Sequence, residues 1–135
     1  MKDDGIKAVT ADLQMIGEEL GKELNGDDVS ALMTSLNKLS ALGSNMAFAE
    51  GRAKVIADRS MADKLKGLRS RNDSQGVKMS PNELRDFAKA MAGDEIGLYD
   101  MAVNLDRFLS KRIDSLRTMI SMKKSELENN MSQSQ

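Results

Sequence analysis

Thirteen of the chain's twenty basic side chains fall into two runs, and these are the residues whose type and spacing could do chemistry. The first run is Arg52, Lys54, Arg59, Lys64, Lys66, Arg69 and Arg71; the second is Arg107, Lys111, Arg112, Arg117, Lys123 and Lys124. Cations repeated along a chain in this way can hold a polyanion by contacts to its phosphates. Only Phe48, Phe87, Phe108 and Tyr99 are aromatic, so base stacking is expected to be limited and binding to be sequence-tolerant and salt-sensitive. Arg59, Lys64, Lys66, Arg69 and Arg71 are the candidate nucleic-acid-binding residues.

Other chemistries find little support. The chain has no cysteine and no histidine, which removes disulfides, thiolate nucleophiles, the usual zinc sites and the commonest general base. Serine with lysine is the one nucleophile pair left. Asp3-Asp4, Glu18-Glu19, Asp27-Asp28 and Asp94-Glu95 are adjacent acids, but each reads as a solvated helix cap or face. No glycine-rich phosphate loop follows a strand. The expectation is a protein that is not an enzyme and carries no cofactor, no catalytic residue and no metal.

Charge also has a purely structural reading. The net charge of −1 hides alternating blocks: −5 over residues 1–50, +5 over 51–78, −3 over 79–105 and +2 over 106–135. If the chain folds back near Gln75, position i meets a residue near 151 − i, and basic 52–71 faces acidic 80–99. Blocks of this kind could set the register of a helical hairpin. Both readings stay open at the level of sequence.

The elements that must position these charges are all helical. Ile6, Val9, Leu13, Ile16, Leu20 and Leu24 recur at spacings of three and four, as do Leu32, Leu36, Leu39, Leu42, Met46, Ala49, Ala53 and Ile56, and later Leu84, Phe87, Met91, Leu98, Met101, Leu105, Leu116 and Ile120. Asn25-Gly26-Asp27-Asp28 closes one helix and caps the next. Arg71-Asn72-Asp73-Ser74-Gln75-Gly76 reads as a turn, and Ser80-Pro81-Asn82-Glu83 is a capping box with proline at the first helical position. One domain over 1–135 is predicted, with helices over about 6–24, 28–70 and 81–128, a loop over 71–80 and an unstructured tail over 129–135. A 43-residue helix would be roughly 64 Å long, about twice the width of a domain this size. Such helices bury their stripes in bundles shared between subunits, so a homo-oligomer is expected.

Two smaller features bear on that bundle. Gly17 and Gly21, and Gly93 and Gly97, sit one turn apart; they read first as glycines that a helix tolerates at up to about 1 kcal/mol each, and otherwise as a close helix crossing or a kink near Gly93 to Gly97. Among the ten internal methionines, Met46, Met91, Met101 and Met119 read as gap-filling core.

The layout of a short first helix, a long helix ending in Ala62-Asp63-Lys64-Leu65-Lys66-Gly67-Leu68-Arg69-Ser70, a polar loop and a long final helix resembles the UvsY family of phage recombination mediators. That family is all-helical and ring-forming, and helps load a recombinase onto single-stranded DNA coated by a binding protein. By position, the resemblance implies DNA contact for Lys64, Lys66, Arg69 and Arg71, and subunit assembly for the final helix through Leu98, Met101, Leu105, Phe108, Leu109, Leu116 and Ile120. The motif here reads Lys-Gly-Leu-Arg and lacks the tyrosines that follow it in that family. The partners implied are single-stranded DNA and a recombinase or single-strand binding protein.

No apolar segment approaches a membrane span and the first residues contain no apolar leader core. The expected place is the cytoplasm, that of a bacterial host if the chain is phage-encoded. The leading expectation is an oligomeric accessory protein of phage DNA recombination that binds single strands non-specifically. The alternative is a structural or protein-binding helical oligomer, such as a virion component, secretion chaperone or inhibitor of a host factor.

Overall fold

The structure is a computed structural model that describes residues 2–22 and 28–133. It is all-helical, with 94% of the described residues in helix. Four helices follow in order: α1 (Lys2–Gly21), α2 (Val29–Gln75), α3 (Pro81–Met91) and α4 (Gly93–Gln133). The expected segment 23–27, with Leu24 and Asn25-Gly26-Asp27, lies outside the described residues.

Each described boundary has a local cause. The Asp28 carboxylate accepts from the Ala31 amide at 2.7 Å and starts α2. α2 runs to Gln75, five residues past the expected end, because its stop is Gly76 and not the polar run before it. Gly76 adopts φ 69, the Val77 amide donates to the Asn72 carbonyl at 2.9 Å and the Gly76 amide to Asp73 at 3.4 Å, which together close the helix in the Schellman pattern. Asn72 is itself buried. The expected loop over 71–80 therefore shrinks to 76–80. Ser80 Oγ then accepts from the Glu83 amide at 3.2 Å, with Pro81 at the first position of α3.

The third expected helix, one piece over 81–128, is divided instead into α3 and α4, at the place where the kink reading of its glycine pair put a break. Ala92 leaves helical geometry at φ −95 and ψ 20, and the next helix opens on Gly93, where helix propensity is lowest apart from proline. The close-crossing reading of the glycines is not supported. A methyl group at Gly21, Gly93 or Gly97 would meet open space, and one at Gly17 would touch Leu105 at an ordinary 3.9 Å. The C-terminal stretch expected to be unstructured is helical as far as Gln133.

α2 and α4 are the two long helices, roughly 70 Å and 62 Å at 1.5 Å per residue, and they pack together. Their directions oppose: Glu50 meets Asp106, while Arg59 and Lys64, farther along α2, share a groove with Glu95, earlier along α4. A residue i of α2 thus lies opposite one near 156 − i, a shift of about five from the register expected at Gln75, because the fold-back now centres on Lys78. α1 lies against the middle of this hairpin, with Arg52 3.8 Å from Asp12 and Arg112 donating to the Lys22 carbonyl at 3.4 Å.

One core threads all three. α1 contributes Val9, Leu13, Ile16 and Leu20, α2 contributes Leu32, Leu39, Met46, Ala49 and Ala53, and α4 contributes Leu98, Ala102, Leu109, Leu116 and Ile120. Of the four methionines expected in the core, Met46 is there; Met91, Met101 and Met119 are exposed. Alanine takes the space instead, with Ala49, Ala53, Ala88, Ala92 and Ala102 fully buried.

Candidate nucleic-acid interface

The five candidate cations all sit on the second half of α2. Arg59, Lys66, Arg69 and Arg71 are exposed and Lys64 is half-buried. The ion pairs among the described residues are Lys22 with Glu19, Arg52 with Asp12, Arg117 with Asp114 and Lys123 with Glu126. None of these includes the five candidates. None of these joins α2 to α4 either, so among the described residues no ion pair within 4 Å accounts for the register that the sequence blocks suggested. The second basic run is more engaged: Arg112 is on the Lys22 carbonyl just past α1, and Arg117 and Lys123 pair within their own helix.

Position on the helix explains the difference. α2 turns its alanines and leucines toward α1 and α4, and positions 59 and 66 fall opposite Ala57 and Leu68 at 100° per residue. Past the start of α1, toward the fold-back, the hairpin is only two helices wide, and both carry cations. Lys78 in the loop and Arg85 and Lys89 on α3 are exposed there, beside the half-exposed Phe87 and Met91. Sequence reasoning grouped Arg85 and Lys89 with an acidic block and so missed them. Their proximity to Lys66 through Arg71 follows only from the fold-back.

The seven assembly candidates divide. Leu98, Leu109, Leu116 and Ile120 are buried in the chain's own core and Leu105 is half-buried against α1. They are already covered without a second subunit. Met101 and Phe108 face outward, at 40% and 49% exposure, and with Met119 and Met122 form a sparse apolar row on α4.

Where α2 meets α4, Glu50 and Asp106 share a hydrogen bond. That bond first, then burial and the repulsion of the Asp106 charge, raise the Glu50 pKa above its ordinary value, against an opposing pull from Arg107. A carboxyl raised in the folded state binds its proton more tightly there than in the unfolded chain. Its contribution to stability is therefore present below the ordinary carboxylate range and lost as pH rises through the raised value. Glu50→Gln is expected to flatten that slope in urea unfolding followed from acid to neutral pH. An unchanged slope would show that the Asp106 contact is not felt.

Among the described residues no group of three or more acids could hold a metal ion, and no helix is long and apolar enough to cross a membrane. No protein-family model, curated protein or solved structure matches the chain significantly.

Proposed function

We propose that this chain is an oligomeric accessory protein of DNA recombination, of the kind the UvsY-like layout implies, which holds single-stranded DNA through Arg59, Lys64, Lys66, Arg69 and Arg71. The observation that carries the reading is that these five cations share one stretch of α2 and make no ion pair with another described residue. Cations without acidic partners keep their charge for phosphates, and such binding is set by charge and not by base identity. Assembly would repeat the basic stretch around a symmetry axis and multiply weak contacts along one strand.

The combined variant Lys64→Ala, Lys66→Ala, Arg69→Ala tests it. Loss of three phosphate contacts is expected to reduce the slope of log affinity against log salt by about two for a single strand, read by fluorescence anisotropy with a labelled oligonucleotide at several salt concentrations. Lys66 and Arg69 are exposed and Lys64 is only half-buried, so the variant is expected to fold. Wild-type affinity and slope in the folded variant would overturn the reading.

A second reading has its own observation. The outward row of Met101, Phe108, Met119 and Met122 on α4 suits a structural or protein-binding oligomer with no nucleic-acid role. It predicts a mass in solution above that of one chain and no salt-dependent retention of DNA.

A further inference from the structure

We propose that the outer face of α2 carries a base-stacking subsite for single-stranded nucleic acid, formed by Phe48 with Arg52 and Arg59. The inference rests on the DNA reading above and extends it eleven residues toward the start of the helix, beyond the stretch to which the sequence assigned binding.

Phe48, Arg52, Val55, Arg59 and Lys66 follow at spacings of four, three, four and seven, which return to one face of a helix. Ala62 and Arg69 continue the same row. No acid occupies any of these seven positions. The face runs roughly 30 Å from Phe48 to Arg69 at 1.5 Å per residue.

Phe48 stands at the head of the row with 66% of its surface exposed, the most exposed of the three phenylalanines. The exposed ring is held in position. The Arg52 guanidinium lies 5.6 Å from the ring centroid, within cation–π range, and Arg52 is in turn 3.8 Å from the Asp12 carboxylate on α1. One side of the ring is thus engaged by a planar cation that α1 anchors.

Next to the ring lies an open groove of about 450 Å³ whose lining includes Phe48, Gly51, Arg52, Val55, Ile56 and Arg59. The groove is open at Gly51, where a methyl group would meet nothing within 4 Å. A flat apolar ring beside cations on an acid-free row matches a nucleotide strand, whose bases stack on aromatic faces while its phosphates seek arginine and lysine. Charge complementarity chooses this occupant over an apolar peptide, for which Arg52, Arg59 and Lys66 would be unfavourable neighbours. Arg59 belongs to both stretches and joins the subsite to the basic end of the helix.

The chain has no tryptophan, so Phe48→Trp introduces a single reporter at the subsite. Its fluorescence is expected to be quenched on titration with an oligothymidylate and to change little with an abasic oligonucleotide of equal length, which offers phosphates without bases. Phe48→Ala is expected to weaken oligothymidylate binding about 5- to 150-fold, the range for loss of one stacked base, and to leave abasic binding unchanged. If Phe48→Ala binds oligothymidylate as wild type does while the Lys64, Lys66, Arg69 variant does not, the subsite is refuted and the DNA reading stands. If the wild-type chain binds neither oligonucleotide, both fall. A change in solution mass on Phe48→Ala with no change in DNA affinity would also overturn the subsite, making the ring a protein contact.

Discussion

Leu109→Ala is expected to destabilise the chain by about 2–5 kcal/mol, the range for truncating a fully buried leucine, whereas Phe108→Ala beside it leaves stability within about 0.5 kcal/mol. The two residues are neighbours on α4, yet Leu109 is 2% exposed inside the hairpin and Phe108 is 49% exposed outside it. Removing the leucine leaves a cavity between α2 and α4 that helices as long as these cannot close by a local shift, because each is pinned by buried residues on both sides of the gap: Leu98 and Ala102 before it on α4, Leu116 and Ile120 after it. Removing the phenylalanine alters only what the outer surface can meet. Its effect belongs in the mass measured in solution, as a shift toward the single chain if the outer row of α4 joins subunits. Urea unfolding at one fixed protein concentration reads the first effect and sedimentation or light scattering the second. A Leu109→Ala chain of unchanged stability, with its mass reduced instead, would return Leu109 to the subunit contact that the sequence implied.

That pair shows which part of the fold was legible in the sequence. The α1 stripe of Val9, Leu13, Ile16 and Leu20 is buried as read, Ser80 caps the helix that it was expected to cap, and the glycine pair near residue 93 accompanies a break. The stripe and the cap are local signals with one physical solution each, whereas the glycine pair admitted several and only the structure selects the break. The end of α2 was misjudged because Asn72, Asp73 and Ser74 are turn formers in isolation, and only packing that buries Asn72 together with the left-handed Gly76 carries the helix through them.

For the candidate site, the residue types were legible and their company was not. A charge block in the sequence cannot say whether a lysine faces a neighbouring helix or water, since both sides of a helix recur with the same period. Phe48 was counted among too few aromatics to matter. Its value comes from standing four residues before Arg52 on the outer face, a spacing visible in the sequence but meaningless until α1 and α4 fix which face is outer. Arg85 and Lys89 needed the fold-back, with its shift of register from Gln75 to Lys78.

The same geometry makes Ala53→Leu the most disruptive single enlargement expected in this chain. Ala53 is fully buried, as are Ala49 one turn before it and Ala102 on α4, and the register near 156 − i brings Ala53 and Ala102 to the same level. Where methyl groups face each other, the helix axes approach closely and no rotamer of a larger side chain can leave the contact. An isobutyl group at that point must push α2 and α4 apart, and the displacement spreads to Met46 and Leu109, buried at the level on one side, and to Ala57 and Leu98, buried at the level on the other. Overpacking ordinarily costs about 1–3 kcal/mol, and the upper end or beyond is expected here because rigid helices cannot bend around one residue. Thermal unfolding should fall by at least several degrees, while Ala62→Leu, an exposed site on the same helix, should change it little, both residues being good helix formers. Equal melting of Ala53→Leu and wild type would mean that the helices are not in close contact there. It would also move the outer face on which Phe48, Arg59 and Lys66 stand, since what lies outside on α2 is defined by the alanines that lie within.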